Sequence, residues 1–387
     1  MEEWKEYKLG EVVNILDYKR VPLSSKERST RKGHYPYYGA QGIIDYIDDY
    51  IFDGTYLLIA EDGENLKSQK QNVAQLASGK YWVNNHAHIV ESNGKSDIRY
   101  ICYLLNMMDL SGYITGSAQP KLNQANLTSI SLQLPSLESQ KRVADFLSIF
   151  DDKIEANRRI NDNLEQQAQV LFKSWFVDFE PFRDQPFVES ELGMIPEGWS
   201  VENIYEYIDV IYGAPYKSTL FNDNKDGLPL IRIRDLKTNA PQFYTPEVLP
   251  NTEYINAGDI VAGMDAEFIP YVWLGEKGVL NQRCCKFKGK NDAISNYYIL
   301  FLIKPELEYV QSYKTGTTVS HLGKSDIDRF RFITPPLDVV LTFSEKINAM
   351  KQEVVSRAKE SRRLAQLRDT LLPRLMSGEI KVGDVTL

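Results

Sequence analysis

The chain matches itself at a spacing of 200 residues, and that repeat constrains the fold more than any other feature. Gly116-Ser117 matches Gly316-Thr317, Leu122 matches Leu322, and Pro135 matches Pro335. Val143, Leu147, Phe150 and Ile154 match Phe343, Ile347, Met350 and Val354. Leu164, Leu171 and Trp175 match Leu364, Leu371 and Leu375. The front of each half corresponds at shorter offsets: Trp4–Leu9 resembles Trp199–Ile204, and Val83-Asn84-Asn85-His86 resembles Leu280-Asn281-Gln282-Arg283. The unit that is duplicated is a divergent globular part followed by a more constrained helical part.

The helical parts carry a heptad seam. Positions 143, 147, 150, 154, 157, 161, 164, 168, 171 and 175 alternate steps of four and three, and are apolar except at Asn157 and Asn161. Positions 343 to 375 follow the same rule, with Arg357, Ser361 and Arg368 as polar members. A helix alone in water gains little from such a stripe, so each must bury it, and the economical partner is the other helix. The polar interruptions then either fix register, as buried Asn does in coiled coils, or face solvent at a crossing point.

Pro135 and Pro335 precede the helices, and Pro181, Pro186, Gly193, Pro196 and Gly198 follow the first. Short apolar runs bounded by turn residues read as strands of a mixed or antiparallel sheet: Gly42–Ile47, Tyr56–Ala60, Tyr81–Val83 with His88–Val90, Leu228–Ile233, Asp259–Ala262 and Arg329–Ile333. Ser96–Met108 and Asn291–Ile303 read as equivalent helices. The expected layout is a globular domain at 1–134, a helix at 135–180, a linker at 181–196, a second globular domain at 197–334, a second helix at 335–376 and a tail at 377–387.

Composition excludes several classes. No run approaches the ~20 apolar residues of a membrane span, and the N-terminus lacks a signal-peptide pattern, so the expected location is the cytoplasm. Cys102, Cys284 and Cys285 give no CxxC spacing, and the four histidines give no zinc pattern. His86 and His88 sit two apart, either a polar strand face or, less simply, a metal pair. The net charge of −8 argues against unselective coating of nucleic acid. A local basic run remains at Lys19, Arg20, Lys26, Arg28, Arg31 and Lys32, flanked by Tyr18, Tyr35, Tyr37 and Tyr38. Walker, dinucleotide and nucleophile-elbow motifs are absent. Glu61, Asp62 and Glu64 cluster around Gly63, which reads as a solvated hairpin turn rather than a nuclease metal site.

Polar, Gly-containing loops recur in both halves. Asp17–Pro22 corresponds to Tyr212–Lys217, and Gly116–Lys121 to Gly316–His321. Backbone N–H groups and hydroxyls on such loops suit phosphates, and Gln, Asn and Arg suit base edges. The candidate DNA contacts in the first domain are Lys19, Arg20, Tyr38, Gln41, Lys67, Lys70, Asn85, His86, Gln119 and Lys121. In the second they are Lys217, Arg232, Arg234, Gln282, Arg283, Thr318 and His321. Arg232 and Arg234 share one face of a strand in this reading, as contacts or as sheet-surface charges. No catalytic and no metal-ligating residue is assigned.

Three segments resemble one known family, the specificity (S) subunits of type I restriction–modification enzymes. They are Tyr37-Tyr38-Gly39-Ala40-Gln41-Gly42-Ile43-Ile44-Asp45-Tyr46 with Phe52–Gly63, then Leu171-Phe172-Lys173-Ser174-Trp175-Phe176-Val177-Asp178-Phe179, and Leu371-Leu372-Pro373-Arg374-Leu375-Met376-Ser377-Gly378-Glu379-Ile380. The resemblance covers essentially the whole chain. It implies an α+β protein: two mixed α/β target recognition domains separated by two long antiparallel coiled-coil helices, with a pseudo-two-fold internal repeat. It implies a non-catalytic subunit whose domains each read one half of a bipartite, asymmetric site in double-stranded DNA. The helices, roughly 60 Å long at ~1.5 Å per residue, set the spacing and dock two methylation subunits, through which restriction subunits join. No cofactor is expected in this chain; S-adenosylmethionine, ATP and Mg are expected on the partners. The alternatives are a non-catalytic coiled-coil scaffold and a DNA-mimic anti-restriction protein.

Overall fold

The computed structural model describes residues 4–69, 71–116, 119–314 and 320–385. The chain forms two compact units, Met1–Asp152 with Ala365–Leu387, and Lys153–Leu364. Both long helices, Leu137–Phe176 and Leu337–Met376, contribute a segment to each unit.

The globular parts repeat one strand plan. In the first unit an antiparallel sheet runs in the order Val13–Ile15, Ala87–Ser92, Tyr56–Ala60, Ala74–Ala77. A second sheet runs Gly42–Ile47, Lys32–Gly39, Lys80–Val83, Phe52–Asp53, and its central pair is parallel, with Tyr38 opposite Val83. In the second unit the corresponding orders are Ile208–Tyr212, Cys284–Gly289, Ile260–Gly263, Pro270–Val272, and Tyr244–Thr245, Leu228–Ile231, Gly278–Leu280, Tyr254–Ile255. Its parallel pair places Ile231 opposite Leu280. Each unit closes with a two-stranded ribbon joining its front to the strand before a long helix: Lys5–Lys8 with Ser131–Leu134, and Ser200–Asn203 with Arg331–Thr334.

Several sequence expectations move. Leu228–Ile233 is strand only to Ile231; the chain then turns into the short helix Ile233–Leu236. The helix expected at Asn291–Ile303 spans Asn296–Lys314, whereas its first-unit counterpart is the ten-residue Ile98–Met107. The linker segment 181–196 contains a hairpin, Phe187–Ser190 against Gly193–Pro196. The tail packs Ile380, Val382 and Val385 against the first core.

Every seam position is buried or half-buried. In the second unit the helices are antiparallel: Phe176 meets Phe343, with ring centroids 4.8 Å apart, and Asn161 Nδ2 donates to the Val354 carbonyl at 3.2 Å. Asn157 is fully buried. Its Nδ2 donates to Glu360 Oε2 at 2.8 Å and Ser361 Oγ at 3.2 Å, and its Oδ1 accepts from Arg357 Nη1 at 3.1 Å. The polar interruption therefore faces the partner helix and not solvent. In the first unit Arg368 pairs with Asp151, and Leu375 and Met376 join Val143, Ala144 and Leu147 in one core.

Replacing Asn157 with alanine removes three hydrogen bonds and leaves Arg357 without its Asn157 acceptor. The expected loss is about 1–3 kcal/mol in urea denaturation. An unchanged midpoint with an unchanged slope would show that water satisfies this layer.

Candidate nucleic-acid interface

The same backbone junction is built once in each unit. In the first, Glu61 N–H donates to the His86 carbonyl at 2.9 Å, and Leu122 N–H to the Glu61 carbonyl at 2.8 Å. In the second, Met264 N–H donates to the Arg283 carbonyl at 2.8 Å, and Leu322 N–H to the Met264 carbonyl at 2.7 Å. Three segments thus meet in each unit: the end of a central strand, the turn before its neighbour, and the loop that leads to Leu122 or Leu322.

The turns are shaped alike. Asn84 Oδ1 accepts from His86 N–H at 2.8 Å, and Asn281 Oδ1 from Arg283 N–H at 3.2 Å. This Asx turn tips the next two side chains outward, and Asn85, His86, Gln282 and Arg283 are all exposed. Three residues beyond the parallel pairs Tyr38–Val83 and Ile231–Leu280, His86 and Arg283 stand in matching turns, whereas Gln41 lies at a hairpin tip and Arg234 in the short helix Ile233–Leu236. Gln41 and Arg234 are exposed. A methyl group at Gly63 would lie 3.8 Å from Gln41 Nε2, which places the hairpin tip beside the Asp62–Gly63 turn.

Asp62 and Asp265 follow the junction residues; the side chain of Asp62 holds His86, and that of Asp265 holds Arg283 and His321. Asp62 Oδ2 lies 2.7 Å from His86 Nδ1, and its backbone bridges to Lys121. Asp265 takes Arg283 Nη1 at 3.1 Å on Oδ2 and His321 Nδ1 at 2.6 Å on Oδ1, and its backbone bridges to His321. Lys121 Nζ reaches Glu61 at 3.1 Å. Gln41, Asn85, His86 and Lys121 are thereby brought together in the first unit, with Gln119 exposed just before Lys121. In the second unit Gln282, Arg283 and His321 occupy the corresponding places, and Arg234 is exposed on the helix Ile233–Leu236. Sequence reading missed Asp62 and Asp265. The signal was a carboxylate two residues after each central strand, obscured because the repeat offset there is not 200 and the neighbours differ.

The other candidates are placed elsewhere. Lys19 is exposed, with its ammonium 5.8 Å from the Tyr18 ring. Lys67 is exposed on the short helix Asn65–Ser68. Tyr38 is half-buried against Tyr81. Lys217 is exposed, and its N–H donates to Glu247 at 2.8 Å. Arg232 does not share a face with Arg234: it caps the short helix, folds back on Asp235 at 3.2 Å and stacks over Phe243 at 4.5 Å. Lys70 and Thr318 lie outside the described residues.

The basic run is largely neutralised within the unit. Arg28 and Lys32 pair with Asp45, and Arg31 pairs with Asp48. Arg20 reaches Glu61 at 2.7 Å, Asp17 at 3.3 Å and the Ala87 carbonyl at 3.0 Å. His86 and His88 do not form one face: His86 sits in the exposed turn, whereas His88 is buried in the strand. Asp17, Glu61 and His88 bring potential metal-ligand atoms within 4.8 Å of one another. Those atoms already have partners. His88 Nε2–H donates to the Leu122 carbonyl at 2.7 Å, its Nδ1 meets Asp17 at 2.5 Å, and Arg20 bridges the two carboxylates.

Burial pushes the Asp17 and Glu61 carboxyls up, but the His88 hydrogen bond at Asp17, and those of Arg20 and Lys121 at Glu61, hold both below their ordinary values of 3.8 and 4.5. Groups lowered on folding stabilise the protein above their unfolded values and lose that contribution as pH falls through the folded ones. Arg20→Ala should therefore cost about 1.5–3 kcal/mol near neutral pH, with the deficit shrinking below about pH 4. Urea midpoints at the two pH values check this. If Arg20 instead serves mainly as a phosphate contact, stability will hold and the salt slope of DNA binding will fall.

The model of the type I restriction modification DNA specificity domain matches residues 1–166 and 196–367. The specificity subunit of the type I restriction enzyme MjaIX from Methanocaldococcus jannaschii is 26% identical over 437 aligned positions, covering 99% of this chain and 98% of its own. The HindI specificity subunit from Haemophilus influenzae is 24% identical, covering 98% of this chain and 100% of its own. The crystal structure of a type I restriction–modification S subunit from M. genitalium shares the fold at a TM-score of 0.57 and 14% identity, covering 97% of this chain and 96% of that one. Among the described residues, no helix is long and apolar enough to cross a membrane.

Proposed function

The chain belongs to the type I restriction–modification specificity-subunit family, a family of DNA-recognition proteins, and from that premise we propose that each α/β domain reads one half of a bipartite, asymmetric site in double-stranded DNA. One observation carries this reading: a single backbone junction occurs in both units and presents different side chains. Asn85, His86 and Lys121 stand where Gln282, Arg283 and His321 stand in the other unit. Gln and Asn suit adenine edges and Arg suits guanine, at ~1–3 kcal/mol of discrimination per bidentate contact. Identical frames with unlike readers favour unlike half-sites.

In this reading the chain carries no chemistry. Two methylation subunits dock on the long helices, hold S-adenosylmethionine and modify adenine. Restriction subunits join through them and use ATP and Mg. The assembly works on cytoplasmic DNA. The net charge of −8 fits a subunit that leaves much of the phosphate contact to its partners.

The test is co-expression with methylation subunits followed by genome-wide mapping of methylated adenine. A bipartite motif that depends on this chain is expected, and exchanging residues 1–134 should change one half alone. Binding to the partners without any motif would count against sequence reading by this chain. Failure to bind partners or DNA would move the scaffold and mimic alternatives to the front.

A further inference from the structure

Asp62 and Asp265 are a carboxylate that the two reading surfaces share, beside the shared turns at Asn84 and Asn281. Several neighbours differ between the units: Glu61 against Met264, His86 against Arg283, Lys121 against His321. The carboxylate is retained at the same backbone position, one residue past the junction, and it holds His86 in the first unit and Arg283 with His321 in the second. These ion pairs are too open to account for themselves as fold supports. The side chains of His86, Arg283 and His321 are 49%, 57% and 51% exposed, and ion pairs this accessible add little to stability.

Resting on the reading above, we propose that Asp62 and Asp265 are positioning residues for specificity, Asp62 orienting His86 in one half-site reader and Asp265 orienting Arg283 and His321 in the other. An ionised carboxylate only accepts hydrogen bonds. It therefore draws the Nδ1–H of His86 and of His321 toward itself and turns Nε2 outward. The partner on one ring nitrogen fixes the role of the other; in the neutral ring Nε2 is then an acceptor, matched to the exocyclic amino group of adenine or cytosine. Arg283 is held through Nη1 alone, which leaves its remaining N–H groups for a guanine edge or a phosphate. Fixing these side chains before DNA arrives lowers the ordering cost of binding. The carboxylate also offsets cationic charge at the reading surface, which suppresses sequence-blind attraction to phosphates.

The test uses the full chain with its methylation subunits: wild type, D62N, D265N, H86A, and D62N with H86A. Methylated-adenine maps of D62N should show one half of the motif degenerate by 10-fold or more at one or two positions. D265N should do the same to the other half. H86A should degrade the same half as D62N, and the double variant should be no worse than H86A alone, because Asp62 acts through His86. Affinity for unrelated DNA should rise in D62N and D265N, and its dependence on log salt should steepen by up to ~0.9 for each new phosphate contact. Melting temperatures should stay within a few degrees of wild type. If the wild-type chain directs a bipartite motif that both aspartate variants reproduce unchanged, the proposal is overturned while the half-site reading stands. If D62N weakens both halves alike and melts earlier, Asp62 is a fold residue and the proposal fails. If the wild type directs no motif, the half-site reading itself fails and takes this inference with it.

Discussion

Replacing Phe343 with alanine should destabilise the second unit by about 3–5 kcal/mol, the usual range for removing a buried aromatic ring from a core. Phe343 is fully buried. Its ring centroid lies 4.8 Å from Phe176, 5.6 Å from Trp175, and 6.1 Å from both Phe172 and Tyr298. Three of these rings belong to the first long helix and one to the helix Asn296–Lys314, so a single side chain ties three helices together. The cavity is ringed by flat, rigid groups that collapse poorly, which places the cost toward the upper end. Urea denaturation measures it, with Val170→Ala as the companion variant. Val170 is 69% exposed on the same helix as Phe176 and should change stability by less than about 0.5 kcal/mol. Equal losses for the two would mean that the aromatic cluster is not what holds these helices.

The long helices were legible because a heptad stripe is a local signal that survives without knowing the partner. Both extend from two residues after the proline stop to residue 176 or 376, and the repeat in their seams follows from both packing on one another. The strands were legible where β-branched and aromatic runs meet glycine turns, as at Gly42–Ile47 and Tyr56–Ala60. Lys32–Gly39 was hidden because its basic and tyrosine residues read as a recognition surface; its ladder partners lie up to 45 positions away. The candidate site was legible as loops and not as a constellation. His86, Lys121, Arg283 and His321 stood out as exposed polar residues on repeated loops. That a carboxylate holds His86 in one unit, and Arg283 with His321 in the other, depends on strand register, and register is not visible in composition. Arg20 shows the converse. A cation beside a tyrosine looks like a surface contact until the turn at Asp17–Lys19 folds it onto Glu61 and three carbonyls.

Gly213→Ala should remove recognition of one half-site and leave the other intact. Gly213 has no unusual backbone angle; it is required for space. A β-carbon there would lie 2.1 Å from the Asn281 carbonyl oxygen and 2.5 Å from that of Leu280. Its N–H donates to the Cys284 carbonyl at 3.1 Å, and Ala214 bonds across to Leu280 at 2.9 Å and from Gln282 at 3.0 Å. The segment lies flat against the turn that presents Gln282 and Arg283. A methyl group forces the two backbones apart by roughly 1 Å or more to reach ordinary contact, and overpacking against backbone costs about 1–3 kcal/mol or beyond. The larger effect is on reading. With two readers displaced at ~1–3 kcal/mol each, discrimination in that half should fall by about 2–6 kcal/mol, roughly 30-fold or more. Mapping of methylated adenine should show that half degenerate, with the half read by the first unit unchanged. Gly112→Ala, where an added methyl meets nothing within 4 Å, should leave both halves as they are. An intact bipartite motif in the Gly213 variant would mean that the Asn281–Arg283 turn does not touch the bases, and the reading surface of the second unit would have to be sought away from Asp265.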